Sequence, residues 1–167
     1  PRAQVSGKRI CEVLDRPPAI LDGKRTSGDE NQRGRVEFRH VTFRYPDAEE
    51  DVLHDLTFTA EPGETVAFIG ATGSGKSTAL HLIPRFYDTT EGEVLVDGIN
   101  VREYAQEALH NKLGYVAQKA VLFSGTVRSN VIYGDNGRTA ATDDEVNHAI
   151  QTAQAAEFVD HMEQGAD

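Results

Sequence analysis

The stretch Gly70-Ala71-Thr72-Gly73-Ser74-Gly75-Lys76-Ser77 constrains this chain more than any other feature. It satisfies G-x-x-x-x-G-K-[ST] at every fixed position, a match expected by chance in roughly one chain in a few hundred of this length. The residue types follow from the chemistry. Glycines let the backbone close into a nest whose N–H groups converge on one anion, in conformations where a Cβ would clash. Lys76 adds a full positive charge for the β- and γ-phosphates, and the Ser77 hydroxyl suits Mg²⁺. The continuous apolar run Thr65-Val66-Ala67-Phe68-Ile69 precedes the loop and reads as a strand buried on both faces. A helix from about Lys76 to Arg85 follows, with its dipole favouring negative charge at the start. A flexible Gly/Ser loop is the bland alternative, and the strand–loop–helix context argues against it. The motif predicts a nucleoside-triphosphate site in an α/β fold.

Composition narrows the field around that site. The 167 residues carry a net charge of −10, which argues against a nucleic-acid partner, since phosphate backbones are held by a Lys/Arg surplus. The hydrophobic fraction of 38% with 26% charged residues is that of a folded chain. No apolar run approaches the roughly 18 residues of a membrane-spanning helix. A single cysteine, Cys11, excludes an internal disulfide or a cysteine-based zinc cluster and fits a reducing compartment. Six histidines show no metal-ligand spacing, and His148 and His161 read as surface residues of acidic helices. The chain opens on Pro1, has Met162 as its one methionine and shows no leader pattern, so it reads as a piece of something longer.

Charge is also unevenly placed. Residues 1–35 hold eight Lys/Arg and five Asp/Glu, a balance of +3, and the remainder holds nine and twenty-two, a balance of −13. A boundary near Gly34 fits this shift. Before it, Arg2 to Asp15 reads as a helix with Val5, Ile10, Val13 and Leu14 on one side, stopped by Pro17-Pro18. The polar, glycine-containing stretch to Gly34 reads as a solvated linker. After it, the alternation starting at Val36-Glu37-Phe38 shifts phase at His40-Val41, which predicts a β-bulge. Strands are expected at Leu56–Thr59, Val94–Val96 and Gly114–Ala117. Thr142-Asp143-Asp144-Glu145 predicts a capping box opening a helix with Val146, Ala149 and Ile150, and another helix is expected over Ala155–Met162.

Among P-loop proteins, a GTPase needs a D-x-x-G, and none occurs. Asn111-Lys112-Leu113-Gly114 lacks the aspartate of a guanine-binding motif and reads as a helix-to-strand turn. Val94-Leu95-Val96-Asp97 imitates an apolar strand ending in a magnesium-holding aspartate, but it runs directly into Gly98, so a two-residue hairpin is the better account. A kinase passing phosphate to a small acceptor would need lid arginines and an acceptor site, and neither is visible.

Several segments together resemble the nucleotide-binding domain of an exporter-type ATP-binding cassette (ABC) transporter. They are Val41-Thr42-Phe43-Arg44-Tyr45-Pro46, Val52-Leu53-His54-Asp55-Leu56-Thr57-Phe58, the P-loop, and Gly92-Glu93-Val94-Leu95-Val96-Asp97-Gly98. Tyr115-Val116-Ala117-Gln118 and the run from Val121 to Val131 complete the set, and Arg9-Ile10-Cys11-Glu12-Val13-Leu14-Asp15 resembles the segment joining an exporter's membrane helices to its ATPase domain. The resemblance covers essentially the whole chain. It implies a partial P-loop NTPase (RecA-like) α/β core with an antiparallel β subdomain and the start of a helical subdomain. The implied divisions are a joining helix at 1–16, a linker at 17–34, the N-terminal part of the nucleotide-binding domain at 35–118, and the beginning of the helical subdomain at 119–167.

By this resemblance Tyr45 is the aromatic that stacks on adenine, a contact worth about 1–3 kcal/mol and tolerant of other bases. Gln118 is the glutamine that reaches the magnesium and the attacking water, although Lys119-Ala120 departs from the acidic-then-proline pair common after it. The expected nucleotide-binding residues are Tyr45, Gly70, Ala71, Thr72, Gly73, Ser74, Gly75, Lys76, Ser77 and Thr78. Lys76 and Gln118 are the expected catalytic residues, and Ser77 and Gln118 the Mg²⁺ ligands. ATP and Mg²⁺ are the implied cofactors. The implied partners are a second nucleotide-binding domain, in a homo- or heterodimer, and the coupling helices of a transmembrane domain, at the cytoplasmic face of the membrane. In this family the signature Leu-Ser-Gly-Gly-Gln, the Walker B aspartate, the catalytic glutamate and the switch histidine follow later in sequence than Asp167. The chain by itself is therefore expected to be soluble and to bind nucleotide without turning it over, with an unpaired edge beside the P-loop strand. A non-catalytic nucleotide-sensing module is the alternative reading.

Overall fold

The computed structural model describes residues 2–134, 141–163 and 165–166. Two compact units make up the chain, residues 1–114 and 115–167.

The first unit is built on one antiparallel sheet. Strands β1 (Val36–Phe43), β2 (Leu53–Ala60), β3 (Glu91–Val96) and β4 (Ile99–Asn100) lie in the order β2-β1-β3-β4. The phase shift read from sequence is a real bulge. Register slips between Phe38 and Val41 on β1, where His40 takes φ 50°. The bulge leaves Phe38, Val41 and Phe43 all facing the core, at 0%, 0% and 2% exposure. Gly92 sits against the bulge, where a Cβ would collide with the carbonyl oxygens of Arg39 and His40, so β3 can approach β1 only without a side chain there. Asp97 and Gly98, at φ 50° and 74°, form the two-residue turn between β3 and β4, as the Asp-Gly pair predicts.

Helices α1 (Arg2–Leu14), α2 (Lys76–Leu82) and α3 (Gln106–His110) complete the unit. Ala79 and Leu82 of α2 join Val94, Val96, Val101, Tyr104 and Leu109 in the core. The α2 helix is shorter than expected, ending at Leu82 before Pro84. Helix α1 leaves Val5, Ile10, Val13 and Leu14 between 55% and 77% exposed. The polar stretch after it is exposed yet tied down: Gly23, Lys24 and Arg25 donate backbone bonds to Tyr104 and Glu103, and Asp29 donates to the Asp97 carbonyl.

Two expected strands do not form. Thr65–Ile69 and Gly114–Ala117 join no sheet, and Ile69 and Val116 are 96% and 94% exposed. A strand that is apolar on both faces needs a neighbour on each edge and layers above and below. Among the described residues no strand pairs with either segment. Phe68 packs edge-on to Phe58 at 5.2 Å, and Phe58 in turn stacks on Phe38 at 4.6 Å.

The second unit is helical: α4 (Val127–Val131), α5 (Asp143–Thr152) and α6 (Ala156–Asp160), the last shorter than the expected Ala155–Met162. Thr142 and Glu145 make the expected capping box, and Thr126 with Ser129 makes a second at α4. Val146, Ile150 and Val159 form its small core. Among the described residues no helix is long and apolar enough to cross a membrane.

Candidate nucleotide-binding site

The cradle begins after Ile69 and turns into α2 at Lys76. Gly73 and Gly75 take φ 85° and 84°, left-handed values that favour glycine. Gly75 is doubly fixed, because a Cβ there would sit 2.8 Å from Leu53 Cδ2 and 3.1 Å from the Val52 oxygen. The loop therefore rests on the first residues of β2. Lys76 Nζ folds back over it, donating to the carbonyls of Gly70 at 2.8 Å and Ala71 at 2.6 Å and to Ser74 Oγ at 3.2 Å. Its ammonium thus stands over the concave side of the loop. Ser77 is exposed at the start of α2, while the neighbouring Thr78 and Ala79 are buried.

Tyr45 lies just beyond β1, and its ring is held on three sides. Its hydroxyl hydrogen-bonds Thr78 Oγ1 at 3.0 Å. Phe43 packs against it at 4.8 Å and 82°, and Tyr87 at 5.1 Å and 88°, both edge-to-face geometries. Such pairs contribute about 0.5–1.5 kcal/mol each beyond their burial. Tyr87 lies in sequence between Arg85 and Asp88, which pair with each other. The Arg85 guanidinium meets Asp88 with two hydrogen bonds, at 2.8 and 3.3 Å, and a third goes to the Arg102 carbonyl at 3.2 Å. Burial opposes ionisation of Asp88, but the hydrogen bond and charge of Arg85, with Arg102 beside it, prevail and hold its carboxyl below the usual range.

Beside the cradle a cleft of about 620 Å³ is lined by Glu49, Glu50, Asp51, Gly73 and Ser74, among others. Its carboxylates repel polyphosphate, so attraction for the ligand is concentrated at Lys76 and the backbone amides. The Asp97 carboxylate is committed elsewhere, accepting from the Gly34 amide at 2.7 Å and Lys112 Nζ at 2.8 Å with its side chain 7% exposed. It acts as a turn lock. Among the described residues no group of three or more His, Cys, Asp or Glu could hold a metal ion. The oxygen donor that fits Mg²⁺ at the cradle is the Ser77 hydroxyl, a hard ligand able to share an ion with phosphate oxygens.

Of the residues singled out from sequence, Tyr45 and Gly70–Thr78 lie in the first unit, and contact links Tyr45 to Thr78. Gln118 belongs to the second unit, exposed in a bend. Sequence reasoning missed Phe43 and Tyr87 as supports of Tyr45, and the Arg85–Asp88 pair. The charge–aromatic run Arg85-Phe86-Tyr87-Asp88, placed just after the P-loop helix, is the signal that could have found them.

Comparison with known proteins bears directly on this geometry. A family profile described as ABC transporter matches residues 53–166. Multidrug export ATP-binding/permease proteins, so named, of Staphylococcus aureus strain NCTC 8325 and the bovine strain RF122 are 42% and 41% identical over 158 residues. The match takes in 95% of this chain and 27% of theirs, so the chain spans about a quarter of the length of these relatives. A solved structure of a bacterial Atm1-family ABC exporter with ATP bound superposes with a TM-score of 0.87 at 34% identity, covering 99% of this chain and 29% of that one.

Proposed function

The chain belongs to the ABC transporter family, and from that premise we propose that it is the ATP-binding part of an exporter's ATPase domain. One observation carries the proposal. A complete phosphate cradle and an aromatic side chain suited to stacking on a base are joined through one helix, α2, by way of Lys76, Ser77 and Thr78. A cradle alone fits any polyphosphate; the attached aromatic makes it fit a nucleotide.

Each residue then has a task. The backbone N–H groups of Gly70–Ser77 donate to the β- and γ-phosphates, and Lys76 Nζ exchanges its carbonyl partners for phosphate oxygens. Ser77 would hold Mg²⁺, which when bound neutralises phosphate charge. Tyr45 supports the base by stacking. Gln118, from the second unit, would orient the attacking water in the assembled parent. The parent's reaction is attack of that water on the γ-phosphate, driven by positioning and charge stabilisation. The chain by itself is assigned binding without steady turnover.

Partners follow from the same reading. The relatives carry permease and ATP-binding functions in one name, which supports a transmembrane domain, through its coupling helices, as the parent's partner for the second unit. A second nucleotide-binding domain would complete the ATP site at the cytoplasmic face. The exposed apolar side of α1 fits the joining helix of such a protein.

Calorimetric titration of the chain with MgATP tests the proposal. Saturable one-to-one binding is expected, and Lys76→Ala should weaken it at least tenfold, about 1.4 kcal/mol. Equal affinity in the two proteins would refute the cradle. Steady phosphate release by the chain alone, lost in Lys76→Ala, would refute the assignment of binding without turnover.

A further inference from the structure

We propose that Thr78 is a positioning residue for nucleotide selection, holding the Tyr45 ring at a fixed distance from the phosphate cradle. The proposal rests on the reading of Tyr45 as the base platform and deepens it. Threonine hydroxyls inside helices commonly turn back to a carbonyl one turn earlier. Thr78 instead bonds Tyr45 Oη at 3.0 Å, a residue 33 positions away, and it does so from a site only 6% exposed.

The placement gives that bond its meaning. Thr78 lies two residues beyond Lys76 on the first turn of α2, with its side chain turned into the protein while Ser77 is exposed. Tyr45 leaves the end of β1, where the chain enters the acidic loop, and rotation about its Cα–Cβ bond would otherwise be limited only by its neighbours. Phe43 and Tyr87 restrict the ring by edge contacts. The hydroxyl pair fixes the far end of the ring to the helix that opens on the cradle. The span from base to phosphates is then built in before a ligand arrives, which reduces the ordering cost of binding. A ligand with both a base and a polyphosphate gains from this spacing. A bare polyphosphate does not.

Titration of the full chain with MgATP and, separately, with magnesium tripolyphosphate distinguishes the possibilities. The variants are Tyr45→Ala, Tyr45→Phe, Thr78→Val, Thr78→Ser and the double variant Tyr45→Phe/Thr78→Val. Thr78→Val and Tyr45→Phe should each weaken MgATP about three- to tenfold, the range of one lost hydrogen bond. The double variant should be no weaker than either single one, since both remove the same bond. Thr78→Ser, which keeps the hydroxyl, should restore affinity. Tripolyphosphate, which has no base, should bind the Tyr45→Phe protein with the affinity of the unchanged one, which also reports that the cradle is folded.

If Thr78→Val weakens both ligands equally, its hydroxyl serves the phosphates and the proposal is overturned. If Tyr45→Ala weakens MgATP while Thr78→Val and Tyr45→Phe do not, the base platform stands and the positioning role falls. If Tyr45→Ala leaves MgATP affinity unchanged, or the unchanged chain binds no MgATP, the platform reading fails and takes this proposal with it.

Discussion

The β1–β2–β3 sheet and the segment Thr65–Ile69 are similarly apolar in sequence and have opposite fates. Phe38, Val41 and Phe43 of the sheet are almost wholly buried, whereas Val66 and Ile69 are 40% and 96% exposed. The difference lies in where their hydrogen-bond partners come from. β2 returns to β1 after a short loop and β3 closes the other side of β1, so both ladders of that sheet lie within the chain, while a strand suited to a parallel sheet depends on crossover connections and neighbours on both edges. The lesson is that the base side of the site is self-supporting within this chain. The segment entering the phosphate side packs Phe68 on Phe58 and leads to the seat of Gly75 on β2.

Denaturant unfolding should bring out the contrast most strongly. Phe38→Ala should cost about 3–5 kcal/mol, the range for deleting a buried phenylalanine, while Ile69→Ala should change stability by less than about 0.5 kcal/mol. A comparable loss at both positions would break the distinction. Amide exchange at Val66–Ile69 close to the free-chain rate, with Phe38 and Val41 protected, would sharpen it.

A second experiment probes how the sheet's end is locked. Tyr104 is fully buried and donates to the Val96 carbonyl at 3.0 Å. Burial, with Asp97 nearby, pushes its phenol up to about 12. The folded state thus favours the protonated phenol. Its contribution is complete below pH ~10, the unfolded value, and is lost as pH rises towards 12. Alkaline unfolding followed by circular dichroism should therefore be less steep above pH ~10 in Tyr104→Phe, which starts about 1 kcal/mol less stable. An unchanged alkaline profile would remove the phenol from this role.

The smallest effect is expected at Asp88. Its depressed carboxyl contributes above the ordinary carboxylate range and loses that contribution as pH falls through the lower folded value. Asp88→Asn should lower the neutral-pH stability by no more than about 1 kcal/mol and flatten its decline below pH ~4. A measurable drop in MgATP affinity in the same variant would extend the built-in base side to this ion pair.

Where sequence reading succeeded, a local rule determined the outcome. The cradle is a fixed-spacing motif, the Asp97-Gly98 turn needs two positive φ values, and the bulge at His40 shows as a slip in a two-residue period. Where it failed, the signal described a side chain without its neighbour. Thr65–Ile69 is coded as a strand buried on two faces, but no pattern within it states whether flanking strands accompany it. The Tyr45–Thr78 bond escaped for a related reason, since its partners are separated by a loop, a strand and the cradle, with no period connecting them.

The seat of Gly75 also limits how the chain can change over generations. Leu53 Cδ2 and the Val52 carbonyl would close on any added methyl at that position, so two distant stretches of sequence behave as one unit of inheritance. A drifting lineage can trade Leu53 for a smaller residue and still keep the glycine. The reverse order passes through an intermediate in which the loop is pried from the sheet. Libraries that randomise the loop alone should therefore return glycine at position 75 even when selected for folding and never for nucleotide.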